Sequence, residues 1–188
     1  MSKDDKESGS LKSLDEHGIY LLCDDITDKV ASDIIRFILE ANLDPKCKWK
    51  RILLIINSPG GSFEDGMAII DVMAGSRIPV HTIGIGQLCS MGLILFLAGK
   101  QGHRKLTNNC VVMSHQWSWG FGGKQHELIA SEKAVRDIQN IIMLHYQNTT
   151  GLSKKAILKY LLPPHDVYLT AEEAYNLGVC DEVVTLVT

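Results

Sequence analysis

Apolar positions along this chain alternate between two rhythms. Gly18 to Cys23 is a short apolar run of β-prone residues, and Asp25 to Leu43 then spaces Val30, Ile34, Ile35, Ile38 and Leu39 as one helical face. Arg51 to Ile56 is apolar almost throughout, the pattern of a strand covered on both faces, and it ends on Asn57-Ser58-Pro59-Gly60-Gly61. Helical period returns over Glu64 to Ala74, where Met67, Ile70 and Met73 can share a face. Pro79 to Ile85 predicts a further strand, Ser90 onward a helix, and Cys110 to Met113 another strand. Gly120 to Gly123 reads as a hinge before a long amphipathic helix from about Lys124 to Thr149. Leu152 to Leu162 is a shorter helix stopped by Pro163-Pro164. Thr170 to Leu177 is helical, with Thr170 and Glu173 spaced as a capping box and Gly178 closing it, and Glu182 to Val187 is the last strand. Met1 to Leu14 is polar and reads as a mobile arm, and 15–188 as a single domain without repeat or linker. Strand–helix alternation of this kind predicts an α/β fold of stacked βαβ units.

Composition narrows the function classes. With 45% apolar and 22% charged residues over 188 positions, the chain is too apolar to be disordered and too mixed for a collagen or coiled-coil repeat. A net charge of −3 gives no basic field, so neither nucleic acid nor an anionic membrane is an expected partner. The 5 cysteines include no C-x-x-C pair, which implies reduced thiols in the cytoplasm or an equivalent reducing compartment, and no zinc or other metal site. The longest apolar run, Met91 to Ala98, is far short of the roughly 20 residues of a spanning helix. MSKDDKESGS has neither signal-peptide nor transit-peptide order, so a soluble, non-secreted protein is expected.

Four segments can carry chemistry. Asn57 to Ser62 places two glycines after a buried strand, a turn that brings bare backbone close and lets Gly61 present its N–H to an anionic oxygen. An ordinary strand-to-helix turn has the same composition. Gly84 to Gly92 carries Ser90 where a helix begins; a serine there is usually an N-cap, yet developing negative charge is also favoured at that end. Cys89 beside it is a rival nucleophile. Val111 to Gln116 ends a strand on His115, one of 7 histidines and not singled out by local pattern. Asp166 lies between a helix stop and a helix start, where Asx-turns are commonplace.

Taken in order, NSPGG, GQLCSMG, MSHQ and HDVYLTAEEAYNLGVCDEVV resemble the ClpP family, the proteolytic subunits of Clp proteases, from about Gly18 to Thr185. The resemblance implies a ClpP/crotonase-like fold with a protruding handle over about 120–149. It implies Ser90 as nucleophile, His115 as general base, Asp166 as orienting acid, and the Gly61 and Met91 amides as oxyanion hole. The chemistry implied is acyl transfer through a serine ester, with no cofactor of its own; ATP is used only by a partner unfoldase. Activity is expected to fall toward acid pH, because His115 must be neutral to accept the serine proton.

The implied partners are unfolded polypeptides or short peptides as substrates, further copies of the chain in two stacked heptameric rings, and an AAA+ Clp unfoldase or a companion ClpP subunit. The stretch ahead of the first strand is shorter than in the family, and Trp117-Ser118-Trp119 follows His115-Gln116 where the family typically has proline. Two other readings share the fold: a crotonase-type acyl-CoA enzyme and a catalytically silent ring subunit. The ordered Ser90, His115 and Asp166 favour the peptidase over both.

Overall fold

The computed structural model of the chain describes residues 13–116 and 124–185, without the side chains of 125 and 127–130. Most of the N-terminal arm, the Gly120–Gly123 hinge, Trp117, Trp119, the Leu128 and Ile129 side chains and the end of the last strand lie outside the described residues. Among those described, β1 (Ile19–Leu22), β2 (Ile52–Ser58), β3 (Val80–Cys89), β4 (Arg104–Thr107) and β7 (Glu182–Val184) form a parallel sheet in the order β1-β2-β3-β4-β7. Helices α1 (Asp28–Leu43), α2 (Phe63–Gly75) and α3 (Met91–Leu97) connect successive strands, giving the mixed α/β architecture read from the sequence. Ile52, Leu54 and Ile56 of β2 join the main core together with Ile34 and Ile38 of α1 and Ile69 of α2. Their neighbours Leu53 and Ile55 fall on the opposite face, as the two-residue period of a strand requires.

Helix starts follow side-chain caps. Thr27, Ser62, Ser153 and Thr170 each accept a backbone N–H from the first turn of the helix they precede, satisfying donors that have no intrahelical partner. The Thr170–Glu173 capping box is formed in both directions.

The β3 strand runs four residues beyond its predicted end at Ile85. Its first part pairs with β4, at Thr82 to Gly84, and its last part with β5 (Val111–Ser114), at Gln87 to Cys89. The change of partner occurs at a bulge: Ile56 faces Gly84, but Ser58 faces Leu88. Gly86 has a φ of +60° there, and Asn57 Oδ1 accepts the Gln87 N–H at 3.1 Å, bracing the bend. This bend carries the end of β3, and Ser90 after it, away from β4 and onto β5.

β5 pairs antiparallel with β6 (Val167–Leu169), which precedes α6 (Ala171–Asn176). Neither β4 nor β6 was expected from the sequence. Among the described side chains of the long helix α4 (Gln125–Thr150), the buried ones are Ile142 and Tyr146 in its C-terminal half, before α5 (Lys154–Tyr160). Ile141 and Leu144 on the same helix remain 43% and 57% exposed.

Candidate active site

The turn after β2 and the end of β3 are packed backbone to backbone. Ser58, fully buried, accepts the Gly60 N–H on its hydroxyl at 3.2 Å and so closes the Ser-Pro-Gly-Gly turn. A Cβ on Gly60 would come within 2.8 Å of the Ser90 Cβ, and one on Gly61 would strike the Ile26 carbonyl. Gly61 has a φ of +138°, a conformation that side chains oppose. Ile26 N–H donates to Gly60 O and Ser62 N–H to Ile26 O, fixing the turn on both sides of Gly61.

Ser90 differs from an ordinary helix cap. Its φ of 52° makes it, among the described residues, the one non-glycine with positive φ, and its hydroxyl makes no capping bond to α3. Strain of this kind costs about 1–3 kcal/mol and persists only where the surroundings impose it. The Ser90 N–H donates to Met113 O on β5, which holds the strained residue against the strand that ends beside His115. The hydroxyl turns to the histidine instead: Ser90 Oγ lies 2.8 Å from His115 Nε2. At that separation the hydroxyl can donate to an unprotonated ring nitrogen.

Gly61, Met91, Ser90 and His115 line one small cleft, walled further by Phe63, Ile94, Ile142 and Tyr146. Met91 opens α3, so its N–H belongs to the set of helix-end donors without an intrahelical acceptor. Cys89 is buried, its Sγ sits 3.6 Å from Gln87 Oε1, and burial pushes its thiol above the usual range, which disfavours the reactive thiolate.

Asp166 stands apart from this pair. The β5–β6 ladder ends where Ser114 pairs with Val167, and the same register continued one step would set Asp166 opposite His115. Opposed side chains on one ladder have Cβ atoms about 5 Å apart, within reach of a carboxylate-to-imidazole bond. Asp166 is exposed, however, and among the described residues no hydrogen bond joins its carboxylate to the His115 ring.

Two contacts from α4, one buried and one partly buried, join it to the walls of the cleft. Tyr146 Oη is 2.8 Å from Ser114 Oγ, directly before His115, and burial drives the phenol up to about 12, so it stays protonated. His145 Nε2 is 2.8 Å from the Ile94 carbonyl, which can only accept, so that nitrogen carries the proton. Burial pushes His145 below the usual histidine range, with the Ile94 bond opposing. These groups, with Phe63, were not singled out in the sequence. The only available signal was the i, i+4 spacing of Ile142 and Tyr146 within an amphipathic helix.

The Clp protease family model matches residues 2–186. The chain belongs to the Clp protease family. It is 35% identical to the ATP-dependent Clp protease proteolytic subunit 2 of Bifidobacterium longum over 162 residues, 86% of this chain and 74% of that one. It is 36% identical to the protein of the same name from Tropheryma whipplei over 168 residues, covering 89% and 91% of the two chains. The ATP-dependent Clp protease proteolytic subunit of Oltmannsiellopsis viridis is 32% identical over 167 residues, covering 89% and 84%. Among the described residues of this Clp-family chain, no helix is long and apolar enough to cross a membrane, and no cluster of His, Cys, Asp and Glu could hold a metal ion.

The Tyr146–Ser114 contact gives a first test of how this site is built. Tyr146→Phe strips the buried Ser114 hydroxyl of its partner and is expected to lower unfolding free energy by about 1–3 kcal/mol. Urea unfolding would show this as a lower midpoint at an unchanged m value. An unchanged midpoint would mean that the hydroxyl pair contributes nothing to holding β5 on α4.

Proposed function

We propose that this chain is a serine endopeptidase subunit that cleaves unfolded polypeptides or short peptides. The observation that carries the reading is the 2.8 Å approach of Ser90 Oγ to His115 Nε2 at a positive-φ serine beside two amide-presenting turns. In this reading His115 takes the hydroxyl proton as Oγ bonds to the scissile carbonyl carbon. The Gly61 and Met91 N–H groups hold the resulting oxyanion. Collapse breaks the C–N bond, and His115 gives its proton to the departing amine. Water, deprotonated by the same ring, then releases the acyl group and restores Ser90. Asp166 orients His115 once its carboxylate turns toward Nδ1 across the β5–β6 ladder. No step needs a cofactor or metal.

A fluorophosphonate probe tests this directly. Labelling is expected on the wild type and not on Ser90→Ala. Labelling retained in Ser90→Ala, or a wild type that never labels, would overturn the serine assignment; the second result fits the silent-subunit reading, which the unengaged Asp166 carboxylate favours.

Assembly into two stacked heptameric rings is part of the same proposal. Support comes from α4, whose Ile141 and Leu144 are left in solvent within the chain, large apolar groups that a second copy would cover. Sedimentation is expected to show a large assembly, and a monomer at every concentration would refute it.

The Met1–His17 arm has few apolar residues beyond Leu11 and Leu14, so it offers little hydrophobic docking area. Rings of this chain alone are therefore expected to cut peptides unaided but to couple weakly to a Clp-family AAA+ unfoldase, or to need a companion ClpP subunit. Rapid ATP-dependent degradation of a tagged folded substrate by such rings would contradict this. A reducing compartment such as the cytoplasm suits the thiols, since all five cysteines are free.

A further inference from the structure

The face of the sheet turned away from α1–α3 carries a second, small apolar cluster of Leu53, Ile55 and Ile83, flanked by Ile19 and Ile85. All five are strand residues. Beside this cluster, where β3 begins, the character of the face changes to basic. Leu53 is registered with His81, and Ile83 with Lys105, so these side chains share the face. Arg51, two residues before Leu53, and His103, two before Lys105, fall on it by strand alternation. The Lys100 backbone is held beside the start of β3, its N–H donating to Val80 O at 2.7 Å, and its charge acts on His81.

The two imidazoles are stacked face to face, with centroids 4.0 Å apart and planes within 6°. Burial, and then the positive charges of His103, Arg51, Lys105 and Lys100, push His81 down to about 4, so His81 itself is neutral at ordinary pH. Each charged group acting on His81 is cationic. The acid across from Lys105 is Glu182 on β7, and the two form a 2.7 Å ion pair. Among the described residues neither Arg51 nor Lys100 is in an ion pair. A metal ion does not suit the place: fixed cations repel it, and parallel stacked rings do not converge their nitrogens on one point. An anion suits it well, because among the described residues Arg51 and Lys100 are in no ion pair, Lys105 shares its charge with Glu182 alone, and the imidazoles offer ring N–H donors.

We propose that Arg51, His81, Lys100, His103 and Lys105 form a proton-linked binding site for a multivalent oxyanion of the phosphate class, at the far end of β3 from Ser90. The negative charge of the anion offsets the burial and repulsion that keep His81 neutral, so binding takes up protons and tightens as pH falls. The site does not depend on the peptidase reading and would stand if Ser90 proved inert.

Sulfate is the probe, because it remains a dianion throughout the range in which histidine titrates. Calorimetric titration of the full chain with sulfate, in two buffers of different ionisation heat, reads protons taken up per anion bound. The expected result is saturable binding with a mean uptake of roughly a quarter to half a proton across the range, and affinity rising about three- to tenfold between pH 7.5 and pH 5.5. His81→Gln and His103→Gln are expected to abolish the uptake and flatten the pH dependence. Arg51→Gln and Lys100→Gln are expected to weaken binding at every pH. Heat no greater than that of chloride at matched ionic strength would overturn the proposal, as would binding without proton uptake. Uptake unchanged in both histidine variants would do the same. Should those variants fold poorly, the wild-type proton count decides alone. Tripolyphosphate distinguishes the source: much tighter binding than sulfate marks a polymeric phosphate, and similar binding marks a free small anion.

Discussion

Ser90→Ala is expected to reduce peptide hydrolysis by about 10⁴- to 10⁶-fold while leaving the chain folded and assembled. The hydroxyl it removes makes no capping bond to α3, so the helix loses nothing, and its partner His115 Nε2 is only partly buried. The backbone strain at φ 52° is the same for alanine as for serine. Cys89→Ala should retain most activity, since that thiol is buried and burial pushes it toward the protonated form. The assignment fails if Cys89→Ala abolishes turnover and Ser90→Ala does not. His115→Ala and Asp166→Ala are each expected to cost several orders of magnitude, Asp166→Ala the least. The losses should be non-additive, because a nucleophile without its base gains little from the acid behind it. If the His115→Ala and Asp166→Ala losses instead sum in the double variant, the two residues act separately.

Strands and helices that carry their own apolar pattern were legible along the chain; elements that exist only through their partners were not. The β2 run RILLII and the Thr170–Glu173 box declare themselves locally. Arg104–Thr107 is a four-residue strand of mixed character, held by β3 on one side and β7 on the other. Val167–Leu169 is three residues long and is a strand because β5 lies against it. The site divides in the same way. Two glycine turns and a serine at a helix start could be read locally, but the positive φ of Ser90 and the close approach of Gly60 to it could not. Nothing local separates His115 from the other histidines, and the Tyr146 wall comes from a helix folded back across the sheet end. Only the ordered resemblance linked His115 and Asp166 to Ser90 in advance.

Arg104→Met is expected to be the most destabilising of the simple core substitutions. Arg104 is 3% exposed and gathers three chain segments: its guanidinium bonds the Asp181 carboxylate at 2.6 Å and 3.0 Å, the Thr149 carbonyl at 2.7 Å, and the Gly178 carbonyl at 3.4 Å. It thereby ties the last turn of α4 and the entry to β7 onto β4. Methionine fills much of the volume but leaves Asp181 half-buried without its counter-charge, a loss of about 3–5 kcal/mol. For a chain of this size that lowers Tm by roughly 10 °C. Arg104→Met combined with Asp181→Leu removes both charges and should recover a large part of the loss, since the pair's desolvation cost disappears with it. The pH dependence has a definite sign. Burial alone would raise the Asp181 carboxyl, but hydrogen bonds from Arg104 and its charge hold it below the usual carboxylate range. Its contribution is therefore present above the unfolded carboxylate value of about 3.9 and is lost as pH falls through the lower folded value. Asp181→Asn should flatten the wild-type loss of Tm below about pH 4. A wild type and an Asp181→Asn variant that lose stability in parallel on acidification would show that the carboxylate does not clamp α4 to the sheet.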